Sequence, residues 1–300
     1  MSAGSATSGG SATNTRPASD GSAMSIARES GRRPSGGAAA ADAPAARSPF
    51  DLTGHVSVVT GGNGGIGLGI AGGLAAAGAH VCVWGTNPTK NAAAVARIAA
   101  AGGLATGHLC DVGDEDQVVA TMAEVATSLG RLDSCFVNAG VASRFHPLLE
   151  TSLAEFREVT RVDLDGAFVT LREAARAMVR FGNGGSLIAT ASLAVLQGQA
   201  RAYSYGASKA GLTAMIRAAA VELARHDIRA NAILPGWTDS PMTHQGLHDE
   251  RFTERVLPRM PVRRWGRPED FAGIAVYLAS PASAFHTGDS ILVDGGYAAF

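Results

Sequence analysis

The chain has 300 residues, of which 46% are hydrophobic and 17% charged, with a formal net charge of -1. That composition is ample for one packed core, while so weak a net field offers little attraction to nucleic acid or an anionic membrane. The most apolar runs are broken by Gly, Arg or Asp well before the roughly 18 residues needed to span a bilayer. The expectation is a soluble, cytoplasmic protein acting on a small molecule. Cys82, Cys110 and Cys135 fall in apolar stretches that read as strands and lack ligand-like spacing. They are therefore read as small buried hydrophobes rather than disulfide or zinc residues.

Residues 1–49 are dominated by Ala, Ser, Gly and Pro, with no aromatic before Phe50. Such a segment cannot bury enough apolar surface to offset its ordering entropy, and it reads as a disordered tail. Arg32-Arg33 is a twin-arginine pair, but no apolar stretch follows it, and Asp20, Glu29 and Asp42 oppose a transit-peptide reading.

Residues 50–300 alternate short β-rich runs with longer Ala-rich helical runs, the pattern of a single doubly wound, Rossmann-like α/β domain. Seven strands are predicted, over 56–60, 80–84, 105–110, 134–138, 186–190, 229–234 and 290–293. The predicted helices cover 65–77, 115–129, 153–180, 203–225 and 268–280.

Directly after the first predicted strand stands Thr60-Gly61-Gly62-Asn63-Gly64-Gly65-Ile66-Gly67, leading into an Ala-rich helix. Glycines there let the backbone turn sharply, approach a pyrophosphate and aim helix N-terminal N–H groups at it. A glycine-rich turn alone is weak evidence; the strand-turn-helix setting is what points to a dinucleotide. Further on, Tyr205-Gly206-Ala207-Ser208-Lys209 places a phenol and an ammonium four residues apart, on one face of a helix. A tyrosine titrates near ~10 in isolation, and an adjacent ammonium favours its phenolate form, as proton exchange at neutral pH requires. Tyr203 is a rival phenol, but its fourth successor is Ala207.

Taken together these motifs resemble the classical short-chain dehydrogenase/reductase family over about residues 51–300. The spacing of Gly61, Gly65, Ile66 and Gly67 is similar to that family's cofactor turn, which also includes Asn63. Asp111-Val112 resembles its adenine contact. Asn138-Ala139-Gly140 resembles an Asn-Asn-Ala-Gly motif in which Val137 replaces the first Asn, and Pro235-Gly236 resembles the nicotinamide-side motif, with Thr238 beyond it and Ser240 where Thr is usual. The resemblance implies that Ser192 holds the substrate oxygen as charge develops on it, that Tyr205 exchanges the hydroxyl proton, and that Lys209 binds the nicotinamide ribose. The implied activity is NAD(P)(H)-dependent hydride transfer between an alcohol and a ketone or aldehyde. A homo-oligomer, tetramer or dimer, is implied as well, built on the fourth and fifth helices and the C-terminal strand.

The family places an Asn in a Val-Asn-Leu-x-Gly setting; here the run is Val162-Asp163-Leu164-Asp165-Gly166. Asp163 accepts hydrogen bonds but donates no amide N–H, so it is not counted as catalytic. Other readings are an epimerase, dehydratase or enoyl reductase on the same fold, or a catalytically silent NAD(P)-binding regulator. Related enoyl reductases space Tyr and Lys more widely, sugar-modifying relatives carry a longer C-terminal region, and a silent regulator would not need both Tyr205 and Lys209.

His244 and His248 stand four apart in the segment 237–264 and are read as surface or pocket residues, with no metal site expected. Trp237, Met242 and Phe252 could line an apolar substrate pocket there. Arg263, Arg264 and Arg267 are read as a solvated basic surface. For the cofactor, the end of the second strand carries Gly85, where NAD-preferring relatives place an acidic residue that repels a 2′-phosphate. Thr86, Asn87 and Lys90 could meet such a phosphate, so the balance tips slightly to NADP(H). A Gly85→Asp change is expected to push preference towards NAD.

Overall fold

The structure, a computed structural model, describes residues 48–299, so the tail over 1–49 lies outside the described residues except for its last two. Seven strands form one parallel sheet in the order β3-β2-β1-β4-β5-β6-β7. They are β1 (Val56–Thr60), β2 (His80–Gly85), β3 (Leu104–Leu109), β4 (Ser134–Val137), β5 (Gly185–Thr190), β6 (Ile228–Pro235) and β7 (Ser290–Val293). The sequence reading gave all seven, with ends displaced by no more than a residue. Cys110 and Asn138 fall just beyond β3 and β4 rather than within them.

The helices are α1 (Gly65–Ala76), α2 (Pro88–Ala100), α3 (Glu115–Leu129), α4 (Leu153–Thr160), α5 (Ala167–Phe181), α6 (Tyr203–Leu223), the short α7 (His244–Leu247) and α8 (Glu250–Val256), and α9 (Ala272–Ala279). Side chains of the central strands alternate between two covered faces, while the edge strands β3 and β7 stay partly exposed. In β1, Val58 joins a core with Val118 of α3, Leu171 of α5 and Ile216 of α6. Its neighbour Val59 joins the opposite core, with Leu74 of α1, Ile98 of α2 and Leu278 of α9. Each such side chain gains roughly 1.5–3 kcal/mol on leaving water, which is why central strands such as β1 and β2 read as largely apolar runs rather than as alternating ones.

Two departures from the sequence reading bear on the site. Helix α2 is absent from the predicted set, although Asn87 caps it by accepting the Lys90 N–H at 3.0 Å and Pro88 opens it, a pairing typical of helix starts. The helix expected without interruption over 153–180 is instead α4, a π-helical turn (Arg161–Gly166) and α5. Such turns re-aim side chains and recur at functional sites; here Asp163 is turned wholly inward. Gly166 packs so closely on Val112 that a Cβ would lie 2.8 Å from the Val112 carbonyl carbon.

Order reverses between β1 and β4, whose neighbours lead outward in opposite directions. The crevice at the carboxyl ends of these strands is the expected ligand position in such sheets.

All three cysteines are buried and free. Burial pushes the Cys82 thiol up to about 11 and Cys135 up to about 12. A value raised on folding means stability is intact below the unfolded thiol's range near ~8.5 and is lost as pH climbs through the raised values. The folded protein should therefore resist thiol reagents at pH 8, with all three thiols reacting after denaturation; quantifying thiols with and without denaturant checks this, and prompt native labelling of any one would contradict its burial.

Candidate active site

The carboxyl ends of β1 and β4 are fastened by one hydroxyl. Thr60 Oγ1 accepts the N–H groups of Asn138 at 2.9 Å and Ala139 at 3.0 Å, and donates to Phe136 O at 3.3 Å. Asn138 Nδ2 returns a bond to Thr60 O at 3.0 Å. From this joint the glycine-rich turn runs into α1, with Gly61 at φ +63° and Gly65 at φ +50°, the left-handed region that disfavours side chains. Gly64 supplies no side-chain cap to α1, and nothing lies within 4 Å of where its Cβ would be. Uncapped N–H groups at Gly65, Ile66 and Gly67, with free space above Gly64, fit a pyrophosphate.

Asn63 is not free to move in this turn. Its Nδ2 donates to Asn91 Oδ1 at 2.6 Å, while Asn91 Nδ2 donates to Gly85 O at 3.0 Å and His108 O at 2.8 Å. Asn91, only 4% exposed, thus links the turn to the ends of β2 and β3. Gly85 sits under this pair, where a Cβ would lie 2.7 Å from Asn91 Oδ1 and 2.8 Å from Asn63 Cγ. An aspartate introduced at residue 85 would therefore have to displace the ends of two amides from other elements. Thr86, Asn87 and Lys90 are exposed beyond it. Asp111 also has partners, accepting the Gly113 N–H at 2.9 Å and pairing with Arg161 at 3.3 Å, while Val112 is buried.

Lys209, one turn beyond Tyr205 on α6, has its side chain 5% exposed. Its Nζ donates to Thr190 O, the last residue of β5, at 3.2 Å and lies 3.2 Å from Asp163 Oδ2. Burial pulls the ammonium towards losing its proton, but the Asp163 carboxylate and the Tyr205 oxygen outweigh it, and the net displacement is upward. Asp163 Oδ1 accepts the Val141 N–H at 2.7 Å. Lys209 Nζ also stands 5.5 Å from the Tyr205 ring centre. Ser192 follows β5 and accepts the Ala194 N–H at 3.1 Å; among the described residues no hydrogen bond joins it to Tyr205. A Cβ at Gly140 would come within 3.0 Å of Asp163 Oδ2 and 3.2 Å of Lys209 Nζ, so glycine there lets the backbone pass the pair.

After Pro235, the Gly236 N–H donates to Val293 O at 3.0 Å, and Thr238 is buried with its hydroxyl bonded to Gly236 O at 3.2 Å. The segment then folds over the glycine turn, leaving Ser240 Cβ 3.2 Å from the Cβ position of Gly65. Trp237 and Phe252 do not leave an open apolar pocket: their rings meet edge to face at 4.9 Å in a small core with Leu193, Val256 and Tyr297, while Met242 is exposed. Arg264 grips Asp270 through two bonds of 2.6 and 2.8 Å, and Arg263 and Arg267 are exposed. A cavity of ≈ 180 Å³ lies instead between the strand β4 exit and α4, lined by Ser143, Arg144, His146, Arg201, Tyr203 and Ser204 among others. It adjoins Tyr205 through Tyr203 and Ser204 without including Tyr205 or Ser192.

Comparison with known proteins agrees with this layout. A family model described as Enoyl-(Acyl carrier protein) reductase matches residues 61–298. The chain is 35% identical to a 2,5-dichloro-2,5-cyclohexadiene-1,4-diol dehydrogenase of Sphingobium indicum, over 83% of this chain and 99% of the relative. It is 36% identical to the 2-dehydro-3-deoxy-D-gluconate 5-dehydrogenase of Escherichia coli, over 84% and 98%. A gluconate 5-dehydrogenase from Burkholderia cenocepacia, solved with NADP and tartrate, superposes with a TM-score of 0.80 at 31% identity, covering 84% of this chain and 98% of that one. With a parallel sheet in this order, a glycine turn at its switch point and a Tyr–Lys pair one helical turn apart, the chain belongs to the short-chain dehydrogenase/reductase family.

Proposed function

We infer that the protein is an NAD(P)-dependent oxidoreductase that interconverts a CH–OH group and the corresponding carbonyl. The observation that carries this reading is the phenol of Tyr205 beside a buried ammonium, Lys209, at the end of β5. Bound nicotinamide supplies or accepts the hydride. In oxidation Tyr205 takes the hydroxyl proton of the alcohol and in reduction returns it, with Ser192 donating a hydrogen bond to the substrate oxygen. Lys209 keeps its charge under Tyr205 and offers its remaining N–H to the cofactor ribose, since an ammonium has three donors. The relatives' names as dehydrogenases of a diol and a sugar acid support a CH–OH substrate. The cavity beside Tyr203 mixes polar groups, Ser143, His146 and Arg201, with apolar ones, Val141, Phe145 and Val162, which suits a hydroxylated carbon skeleton.

For the cofactor, Gly61, Asn63, Gly65, Ile66 and Gly67 would hold the pyrophosphate side and Asp111-Val112 the adenine. Asn138, Ala139, Gly140, Pro235, Gly236 and Thr238 would line the nicotinamide side. NADP(H) is favoured slightly over NAD(H), because no acidic side chain ends β2 and Thr86 and Lys90 are exposed where a 2′-phosphate would emerge. A homo-oligomer is supported by exposed apolar side chains on α5 and α6, Phe168, Val179 and Val221, and near the sheet edge at Phe285 and Leu292. Residues 1–49 are taken as a tail outside the catalytic domain. No described helix is long and apolar enough to cross a membrane, and a cytoplasmic site fits that.

Tyr205→Phe should keep nucleotide binding yet lose roughly 10²–10⁴-fold in turnover, whereas Lys209→Ala should damage both. Nicotinamide absorbance assays on a panel of polyols and hydroxy acids, with nucleotide binding measured separately, distinguish the two; an active, folded Tyr205→Phe protein would overturn the role.

Asp163→Asn keeps an acceptor for the Val141 N–H but removes the carboxylate that competes for the Lys209 charge. The acidic limb of the oxidation profile should therefore move to lower pH, read from kcat/KM against pH; an unmoved limb would separate Asp163 from the chemistry.

Gly85→Asp should break the Asn63–Asn91 bond, cost about 1 kcal/mol of stability and weaken both cofactors rather than simply redirect preference. Measuring kcat/KM for each cofactor beside the unfolding midpoint tests this, and a clean switch to NAD at unchanged stability would show that the amides yield without cost.

A further inference from the structure

The segment covering the glycine turn carries a second cluster of chemically capable side chains. One ligand atom from each of Asp239, His244 and His248 lies within 4.8 Å of the others. The histidines stand one helical turn apart, across α7, with ring centres 4.0 Å apart. Their hydrogen bonds fix which nitrogen is free. His248 Nδ1 is 2.8 Å from His244 O, and a carbonyl can only accept, so Nδ1 carries a proton and in the neutral ring Nε2 presents a lone pair. His244 Nδ1 is 2.9 Å from Asp239 Oδ1, and a carboxylate likewise accepts, so the neutral His244 ring also presents Nε2. No other described residue hydrogen-bonds either Nε2. A ring that gives one N–H to a carboxylate or backbone carbonyl while the other nitrogen stays free is the arrangement found around metal-bound histidines.

The frame of this cluster is held independently of any ion. The Asp239 N–H donates to Gly266 O at 2.9 Å, and the His244 N–H to Ser240 O at 2.8 Å. Thr243 Oγ1 bridges the backbone of Thr238 and Ser240. Exposure of both rings leaves room for a rotation that brings the donors to the about 3.3 Å separation of tetrahedral ligands at ~2.0–2.1 Å from the metal. The three thiols, which would otherwise compete for a soft cation, are buried.

We propose that His244 and His248 bind a divalent transition metal through Nε2, with Asp239 orienting His244 and water completing the shell. Imidazole donors select zinc, nickel, cobalt or copper over magnesium and calcium. Ser240 and Pro241 lie between Asp239 and His244 in sequence and rest against Gly65, whose Cβ position is 3.2 Å and 3.5 Å from them. The bound ion therefore staples the two ends of α7 and, by fixing the His244 ring on Asp239, steadies the stretch of chain that lies on the turn; this last consequence, unlike binding itself, rests on the reading of the turn as the cofactor site.

The test uses the full-length protein stripped with chelator and then dialysed against Zn²⁺, with Mg²⁺ as the control. One Zn²⁺ per chain is expected, with no Mg²⁺ retained. His244→Ala and His248→Ala should each weaken binding at least tenfold, Asp239→Ala by about 10–100-fold, and His286→Ala not at all. Trypsin cleavage at Arg251 and Arg255 should slow when Zn²⁺ is added to the unmodified protein and stay unchanged in His248→Ala. No retained Zn²⁺, or equal retention by the His244 and His248 variants, would overturn the proposal. Either result would leave the dehydrogenase reading standing, since none of these measurements depends on turnover.

Discussion

The site is organised around the burial of one ammonium. Taking Lys209 out of water costs several kcal/mol unless an opposite charge and hydrogen-bond acceptors replace the lost hydration. The structure meets that requirement with Thr190 O from the end of β5 and Asp163 from the π turn between α4 and α5. Asp163 reaches inward from a stretch, 161–166, where the long helix is π-helical rather than regular. Because the pair must fit beneath β4's exit, residue 140 has no side chain. The result keeps Lys209 charged through neutral and mildly alkaline pH. The stability held in its raised proton affinity is present below the ordinary lysine range and is lost as pH rises through the elevated value.

A second joint, at Thr60, complements the first. Lys209 ties α6 to β5 and the π turn, whereas Thr60 ties β1 to β4 with a single hydroxyl accepting two backbone N–H groups. Each buried N–H left without its acceptor would cost about 1–3 kcal/mol, so the glycine turn and the Asn138-Ala139-Gly140 stretch are held in fixed relation. The two sides of the crevice, proposed above for the phosphates and the nicotinamide, are thereby set by the sheet rather than by flexible loops, the kind of preorganisation that lowers the entropic cost of binding.

The central strands were legible because both faces of the sheet are covered there, which leaves strong apolar runs punctuated by glycine-rich turns. The placement of Tyr205 and Lys209 on one helix face, and of the Gly61–Gly67 turn between β1 and α1, was legible because it depends on short-range spacing. Asp163 was visible as a departure from the family's Asn, but its inward aim depends on a π turn that no local propensity announces. Asn91 gave no signal, since its three hydrogen bonds run to residues 6, 17 and 28 positions away. The apolar pocket expected from Trp237 and Phe252 failed for a related reason: the two rings satisfy each other, which spacing within a loop does not reveal. Helix α2, by contrast, had readable start signals at Asn87 and Pro88.

The Asn63–Asn91 bond over Gly85 has an evolutionary consequence. Three positions from three different elements, the turn, α2 and the end of β2, occupy one small volume, so the effect of replacing any one depends on the other two. Substitutions among contacting residues are commonly non-additive by 0.5–3 kcal/mol. In a lineage carrying this trio, a side chain gained at residue 85 would have to displace the amide pair, so its effect would depend on what stands at residues 63 and 91. Epistasis of this kind would hold the trio together over time, whichever nucleotide the ancestral enzyme preferred.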